Sequence, residues 1–179
     1  MVPLPMSRKY GRRLVLQRYE KQRRRNLLAQ PGAHRFVIVL DRLKAGFNVA
    51  KIFRSAQAFG AREVHLIGIG PFDPAPGKGA FKAVPARFHD DFDSCYRILK
   101  EQGYHFFTLE PNCTETLLTA PLPEQAAFVF GHEELGIGFD RAQYPDIACL
   151  GIPRYGPMES LNVSVAASIV MYEYVRQHG

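Results

Sequence analysis

Three short segments combine side chains able to do chemistry with the glycines, prolines and capping residues that would present them. In Asn48-Val-Ala-Lys-Ile-Phe-Arg54 an amide and a guanidinium flank the apolar residues Val49, Ile52 and Phe53. Those three share a helical stripe that Arg54 lies off, and Asn48 stands near the N-cap, so both polar groups can face a cleft or solvent. Taken alone, a helix cap and a surface arginine account for this segment better than a site does. In Phe130-Gly-His-Glu-Glu-Leu-Gly-Ile-Gly138, glycines bracket Glu133. Glycine lets a backbone approach a ligand closely or take positive φ, and a carboxylate beside it can accept hydrogen bonds from ribose hydroxyls or amines. The glycine spacing is neither a P-loop nor a dinucleotide fingerprint, and an ordinary turn explains the segment as well. The third segment runs from Ile152 to Ser164. Gly156 and Pro157 force a loop, and Ser160 or Asn162 is a natural N-cap for a helix beyond it. One cap is enough, yet Ser160, Asn162 and Ser164 all fall within five residues.

The elements that must position these segments can be read from hydrophobic periodicity. Arg35–Leu40, Glu63–Gly68, Tyr104–Leu109, Ala126–Gly131 and Ile147–Ile152 are short apolar runs that predict buried strands. Phe47–Phe59 and the stretch from Asn162 onward carry apolar residues at spacings of three and four, which predicts helices, and a weaker stripe predicts a third over about Asp90–Gln102. Strands alternating with helices imply an α/β fold, a mostly parallel sheet flanked by helices, with ligands at the carboxyl ends of the strands. Residues 69–85, rich in Pro and Gly, are expected to form a long, mobile surface loop, and Pro111–Pro123 an irregular connection.

Charge is unevenly placed. Residues 1–35 hold ten Lys/Arg against one acid (Glu20), a balance of +9, while residues 36–179 hold thirteen against sixteen, a balance of −3. A localised basic segment is the footprint of a polyanion partner, and also of a solvated basic tail. Arg12, Arg13, Arg23, Arg24 and Arg25 are its candidate nucleic-acid contacts. We divide the chain into this segment, 1–34, and a folded domain, 35–179. With 179 residues, 46% hydrophobic and 22% charged, the composition is that of one globular domain. No apolar stretch is long enough to cross a membrane and no apolar signal follows the basic start, so a cytoplasmic protein without a membrane partner is expected. Cys95, Cys113 and Cys149 are odd in number and widely spaced. They match neither a zinc pattern nor a disulfide framework, so reduced thiols and no metal are expected.

The segments Asn48–Gly60, Phe130–Gly138 and Ile152–Glu173 resemble, in order, the three sequence motifs of the TrmH/SpoU family of SPOUT-class RNA methyltransferases. Glu159-Ser-Leu-Asn-Val-Ser-Val-Ala-Ala-Ser168 follows the family pattern nearly residue for residue. The resemblance runs from about Phe36 to Arg176. The Pro-rich loop at 71–79 matches only loosely, and the separate RNA-binding domain that precedes the catalytic domain in some relatives is not expected here. The resemblance implies transfer of a methyl group from S-adenosylmethionine to a ribose 2'-hydroxyl of RNA, tRNA before rRNA, by a homodimer whose C-terminal segment forms a trefoil knot. By position, Asn48, Arg54, Glu133, Ser160 and Asn162 correspond to the family's catalytic and substrate residues, and Leu109, Gly131, Ile152 and Leu161 to its cofactor pocket.

Arg54 matches the residue the family associates with the 2'-hydroxyl proton. A guanidinium is a poor base, so an electrostatic role toward the developing alkoxide suits this residue better. Two other classes stand beside this reading. A non-catalytic RNA-binding module on the same fold would need the basic segment but not polar residues at three strand ends. An α/β enzyme using another nucleotide cofactor would be expected to show a phosphate-binding glycine fingerprint.

Overall fold

Val37–Asp41 (β1), Glu63–Ile67 (β2) and Ala126–Phe130 (β5) are buried at every position. Strands buried on both faces must sit inside a sheet covered on both sides, the habit of parallel sheets. The computed structural model describes residues 8–179, with side-chain surroundings from residue 11 onward. In it these strands join Ala86–His89 (β3), His105–Leu109 (β4) and Ala148–Leu150 (β6) in one parallel sheet of order β3-β2-β1-β5-β4-β6. Register is continuous from Val37↔Glu63 to Asp41↔Ile67 and from Val37↔Ala127 to Leu40↔Phe130.

Phe47–Ala58 (α2) and Val163–His178 (α4) cover one face of the sheet through Val49, Ile52, Phe53, Ala167, Val170, Met171 and Tyr174. Phe92–Glu101 (α3) covers the other through Phe92, Cys95 and Leu99, with Tyr144 and Ile147 beside it. Asp91 caps α3 by accepting from Ser94 N at 2.8 Å. Among the described residues no helix is long and apolar enough to cross a membrane.

Several expectations are corrected. The Pro-rich stretch is no mobile surface loop: it makes two 3-10 turns, Ala75–Gly77 and Ala80–Lys82, and buries Phe72, Phe81 and Val84 in the main core. Its anchor is the helix Arg8–Asn26 (α1), formed by most of the basic segment; residues 1–7 of that segment lie outside the described residues. Tyr19, 3% exposed, stacks on Phe81 and meets Phe72 edge-on. The Asn26 amide donates to Phe81 O (2.5 Å) and Val84 O (2.7 Å) and accepts from Ala86 N (3.0 Å). Strand β3 escaped the sequence reading because Ala-Arg-Phe-His is an edge strand without a buried apolar run. Gly46, not Asn48, is the N-cap of α2, which frees the Asn48 side chain. Cys113 and Cys149 are paired as a disulfide, with Cα atoms 5.5 Å apart and a sequence separation of 36. They meet because the connection after β4 passes parallel beside the end of β6, bridged at Thr116↔Gly151. Cys95 is a free, buried thiol as expected, and burial pushes its pKa up to about 12.

Candidate active site

At the C-terminal ends of β4, β5 and β6 the chain opens a cleft of about 660 Å³. Parallel strands leave such a crevice where successive connections diverge. Leu109 and Glu110 enter it from the end of β4, Gly131 to Glu133 and Leu135 to Ile137 from the loop after β5, and Ile152 and Arg154 from the end of β6. Ser160, Leu161 and Asn162 reach it from the approach to α4. The structure therefore brings Leu109, Gly131, Ile152 and Leu161 to one space, together with Glu133, Ser160 and Asn162.

The loop after β5 is a closed turn. His132 and Gly136 exchange main-chain hydrogen bonds of 2.8 Å, and His132 Nδ1 accepts from Glu134 N and Leu135 N at 3.1 and 3.2 Å. Gly136 sits at φ +72°, which an L side chain adopts only with strain. A Cβ on Gly131 would lie 2.5 Å from Ile137 N and against the Gly136 carbonyl. Gly131 is thus required first by the turn's own backbone, and only through it by any ligand. The far end of the turn is tied down by Gly138 N, which donates to Asp41 Oδ2. Burial raises the Asp41 pKa against the opposing effects of that bond and of Arg42, and its Oδ1 has no hydrogen-bond partner.

A chain of hydrogen bonds joins the three motif segments. Asn48 Nδ2 donates to Glu133 Oε1 (3.1 Å), and Asn162 Nδ2 donates to Asn48 Oδ1 (3.2 Å). Asn162 Oδ1 caps α4 by accepting from Ser164 N (2.9 Å) and the Ser164 hydroxyl (2.6 Å). Ser168 Oγ donates to Ser164 O (2.8 Å) and lies 2.7 Å from Ser55 Oγ. Partial burial of Glu133 works against its charge, but its own N–H, the Asn48 amide, Lys44 N–H and His132 outweigh that and hold its carboxyl below the usual range. Lys44 Nζ pairs with the neighbouring Glu134 at 2.6 Å.

Arg54 is not in this cleft. It is exposed and lines a shallower groove between α2 and α4 with Lys51, Phe59, Val165, Ile169 and Tyr172. It makes no ion pair or side-chain hydrogen bond with any described residue. Arg154, which sequence reasoning passed over, does face the cleft: Nη2 donates to Pro111 O at 3.2 Å, while the buried Nη1 has no partner. Its only sequence signal is its place two residues after Ile152 in a Gly/Pro loop. The arginines assigned to nucleic acid, Arg12, Arg13, Arg23, Arg24 and Arg25, are all exposed on α1, but the Arg23 guanidinium lies 4.4 Å from the centre of the Phe88 ring.

A parallel α/β domain with a cleft across three strand ends defines a ligand-binding architecture. Within that class, residues 35–172 match the SpoU rRNA methylase family, and the chain belongs to it. A tRNA (guanosine(18)-2'-O)-methyltransferase from Thermus thermophilus is 30% identical over 145 residues, covering 78% of this chain and 74% of the relative. A 23S rRNA (guanosine-2'-O-)-methyltransferase RlmB from Nitrosomonas europaea is 31% identical over 147 residues, covering 79% of this chain and 56% of the relative. The SpoU methyltransferase AviRb from Streptomyces viridochromogenes, solved in complex with AdoMet, superposes with a TM-score of 0.74 at 21% identity. That pair covers 85% of this chain and 61% of AviRb, and establishes the shared fold.

Proposed function

We propose that this chain is an RNA 2'-O-methyltransferase that binds S-adenosylmethionine in the cleft at the ends of β4, β5 and β6. The observation that carries the reading is the joining of all three motif segments through Glu133, Asn48 and Asn162 at the edge of that cleft. The cleft fits the cofactor's chemistry. Leu109, Leu150, Ile152 and Leu161 offer apolar surface for a purine, and the unpartnered Arg154 Nη1 suits a carboxylate. The bound cofactor supplies an electrophilic methyl carbon on a sulfonium.

The residues of the chain then have distinct tasks. The hydrogen-bonded turn at 131–138 and the capped start of α4 fix the walls of the cleft, and alignment of reactants contributes roughly 7–11 kcal/mol in well-oriented systems. Glu133, held ionised, accepts hydrogen bonds from a substrate amine or hydroxyl. The Arg54 guanidinium stabilises the negative charge that develops on the 2'-oxygen. Because Arg54 stands in the α2–α4 groove, substrate must extend from the cleft across that groove. The exposed side chains Val165, Ile169 and Tyr172 beside it support a homodimer through this face, which would place Arg54 at the subunit boundary. A C-terminal trefoil knot belongs to the same proposal. It is supported by the way α4 clasps the connection after β4, with Tyr174 Oη donating to Glu124 O and Gln177 Nε2 to Ala120 O.

The substrate we favour is tRNA over rRNA, supported by the fuller coverage of the tRNA-modifying relative, and the compartment is the cytoplasm, where such RNA is found. Calorimetric titration with S-adenosylmethionine, followed by mass spectrometry of nucleosides from tRNA and rRNA incubated with protein and cofactor, tests the reading. Cofactor binding with a new 2'-O-methylnucleoside in tRNA is expected. RNA binding with neither cofactor affinity nor methylation would replace the proposal with the non-catalytic RNA-binding module.

A further inference from the structure

At the opposite edge of the sheet from the cleft, one group of His and Cys side chains converges with no role in the chemistry above. We propose that His65, His89 and Cys95 form a zinc site that clamps strands β2 and β3 to helix α3. Their ligand atoms lie within 4.8 Å of one another. His65 Nδ1 is 2.8 Å from His89 Nε2 and 3.6 Å from Cys95 Sγ. Tetrahedral zinc with Zn–N of about 2.0–2.1 Å and Zn–S of about 2.3 Å sets its N···S edge at about 3.6 Å and its N···N edge at about 3.3 Å. The His65–Cys95 edge is already met, the His89–Cys95 edge lies within 4.8 Å, and the two imidazole nitrogens, now hydrogen-bonded to each other, must part by about 0.5 Å and turn toward a common centre.

The surroundings are those of a ligand set held in place. His65 Nε2 lies 3.0 Å from Glu63 Oε1, and the other carboxylate oxygen accepts from Arg87 Nε at 3.0 Å. This carboxylate–imidazole arrangement fixes the ring with Nδ1 directed at His89 and Cys95, as the outer partners of metal-bound histidines do. His89 is half-buried, so a water can complete the fourth position and the ion can reach the site. On binding, the Sγ–zinc bond forms as the thiol proton is released to solvent, and both imidazoles coordinate as neutral rings. The mix of two nitrogens and one sulfur favours zinc over the oxygen-seeking magnesium and calcium. The cysteine count alone predicts no metal, because it overlooks the two histidines that the β2–β3 pairing brings to Cys95.

The test uses the full chain, stripped with a chelator and titrated with zinc, and with cobalt(II) as a spectroscopic probe. One equivalent of metal, a rise in Tm and a thiolate-to-cobalt charge-transfer band are expected. Cys95→Ser should abolish the band, Glu63→Gln should weaken binding by roughly 10–100-fold, and a Cys113→Ser/Cys149→Ser double variant should keep both. If Cys95→Ser fails to fold, as judged by circular dichroism, His89→Ala at the sheet edge serves in its place and should likewise lose zinc. The proposal is overturned by the absence of metal uptake in the stripped native chain. Uptake that survives in Cys95→Ser or His89→Ala, or that vanishes in a Cys113→Ser/Cys149→Ser variant shown by circular dichroism to be folded, overturns it equally.

Discussion

Asn162→Ala removes both functions of one side chain at the junction of the three motif segments. Its Oδ1 caps α4 through Ser164 N–H and the Ser164 hydroxyl, and its Nδ2 reaches Asn48. Loss of an N-cap costs about 1 kcal/mol. Ser164 is 7% exposed, so its hydroxyl loses an acceptor where little water can replace it, which adds about 1 kcal/mol. The contact with Asn48 is exposed and adds little to stability. A total near 2 kcal/mol lowers Tm by roughly 4–8 °C in a chain of this size. Asn162→Asp separates the two functions. It keeps the capping acceptor, and a carboxylate at a helix N-terminus is favourable, so Tm should hold. It cannot donate to Asn48, and a flip of the Asn48 amide only moves the break to Glu133. Scanning calorimetry and single-turnover methylation on both variants check the division. A loss below about 0.5 kcal/mol in Asn162→Ala, or an Asn162→Asp protein as unstable as the Ala variant, would refute the capping argument. Normal methylation by a stable Asn162→Asp protein would show that the Asn162–Asn48 hydrogen bond is not needed for the reaction.

The other expectations concern charge and cross-linking. Arg54→Ala should slow single-turnover methylation by about 100-fold or more, while cofactor affinity measured by calorimetry stays near native; an unchanged rate removes Arg54 from the chemistry. Neutralising Arg12, Arg13, Arg24 and Arg25 on the exposed side of α1 should flatten the salt dependence of RNA binding by up to roughly 0.7–0.9 per lost phosphate contact, with an unchanged slope placing the RNA elsewhere. Reducing Cys113–Cys149, whose sequence separation is 36, should lower stability by up to about 4 kcal/mol by freeing the unfolded chain; equal urea midpoints with and without reductant would show that the bond contributes nothing. Because the Glu133 pKa lies below its ordinary value of 4.5, the stability its charge confers on the turn is present above that pH and is lost as pH falls through the folded value. Cofactor affinity should therefore weaken in acid below about pH 4.5, and Glu133→Gln should flatten that dependence.

What could be read in the sequence was what a local pattern encodes. Val49, Ile52 and Phe53 announce α2, and the β-branched run at Val37 to Val39 announces β1, because periodicity of burial is written residue by residue. Contacts between distant residues carry no such local sign. Phe72 and Phe81 sit among prolines and glycines that read as a loop, and only their packing on Tyr19 of α1 and Phe53 of α2 makes them core. Asn48 and Glu133 are 85 residues apart and Asn48 and Asn162 are 114 apart. They meet because a parallel sheet delivers every strand's C-terminal end to the same side, so polar residues just after strands converge whatever their separation. The same reasoning explains Arg54. It lies six residues after Asn48, more than one turn along α2, and that displacement carries it out of the cleft and into the groove against α4. A residue so placed can act on chemistry in the cleft only through something that spans both surfaces. The RNA chain and a second subunit docked on α4 are the two bodies that could do so, which makes Arg54 the position at which catalysis and assembly are tested together.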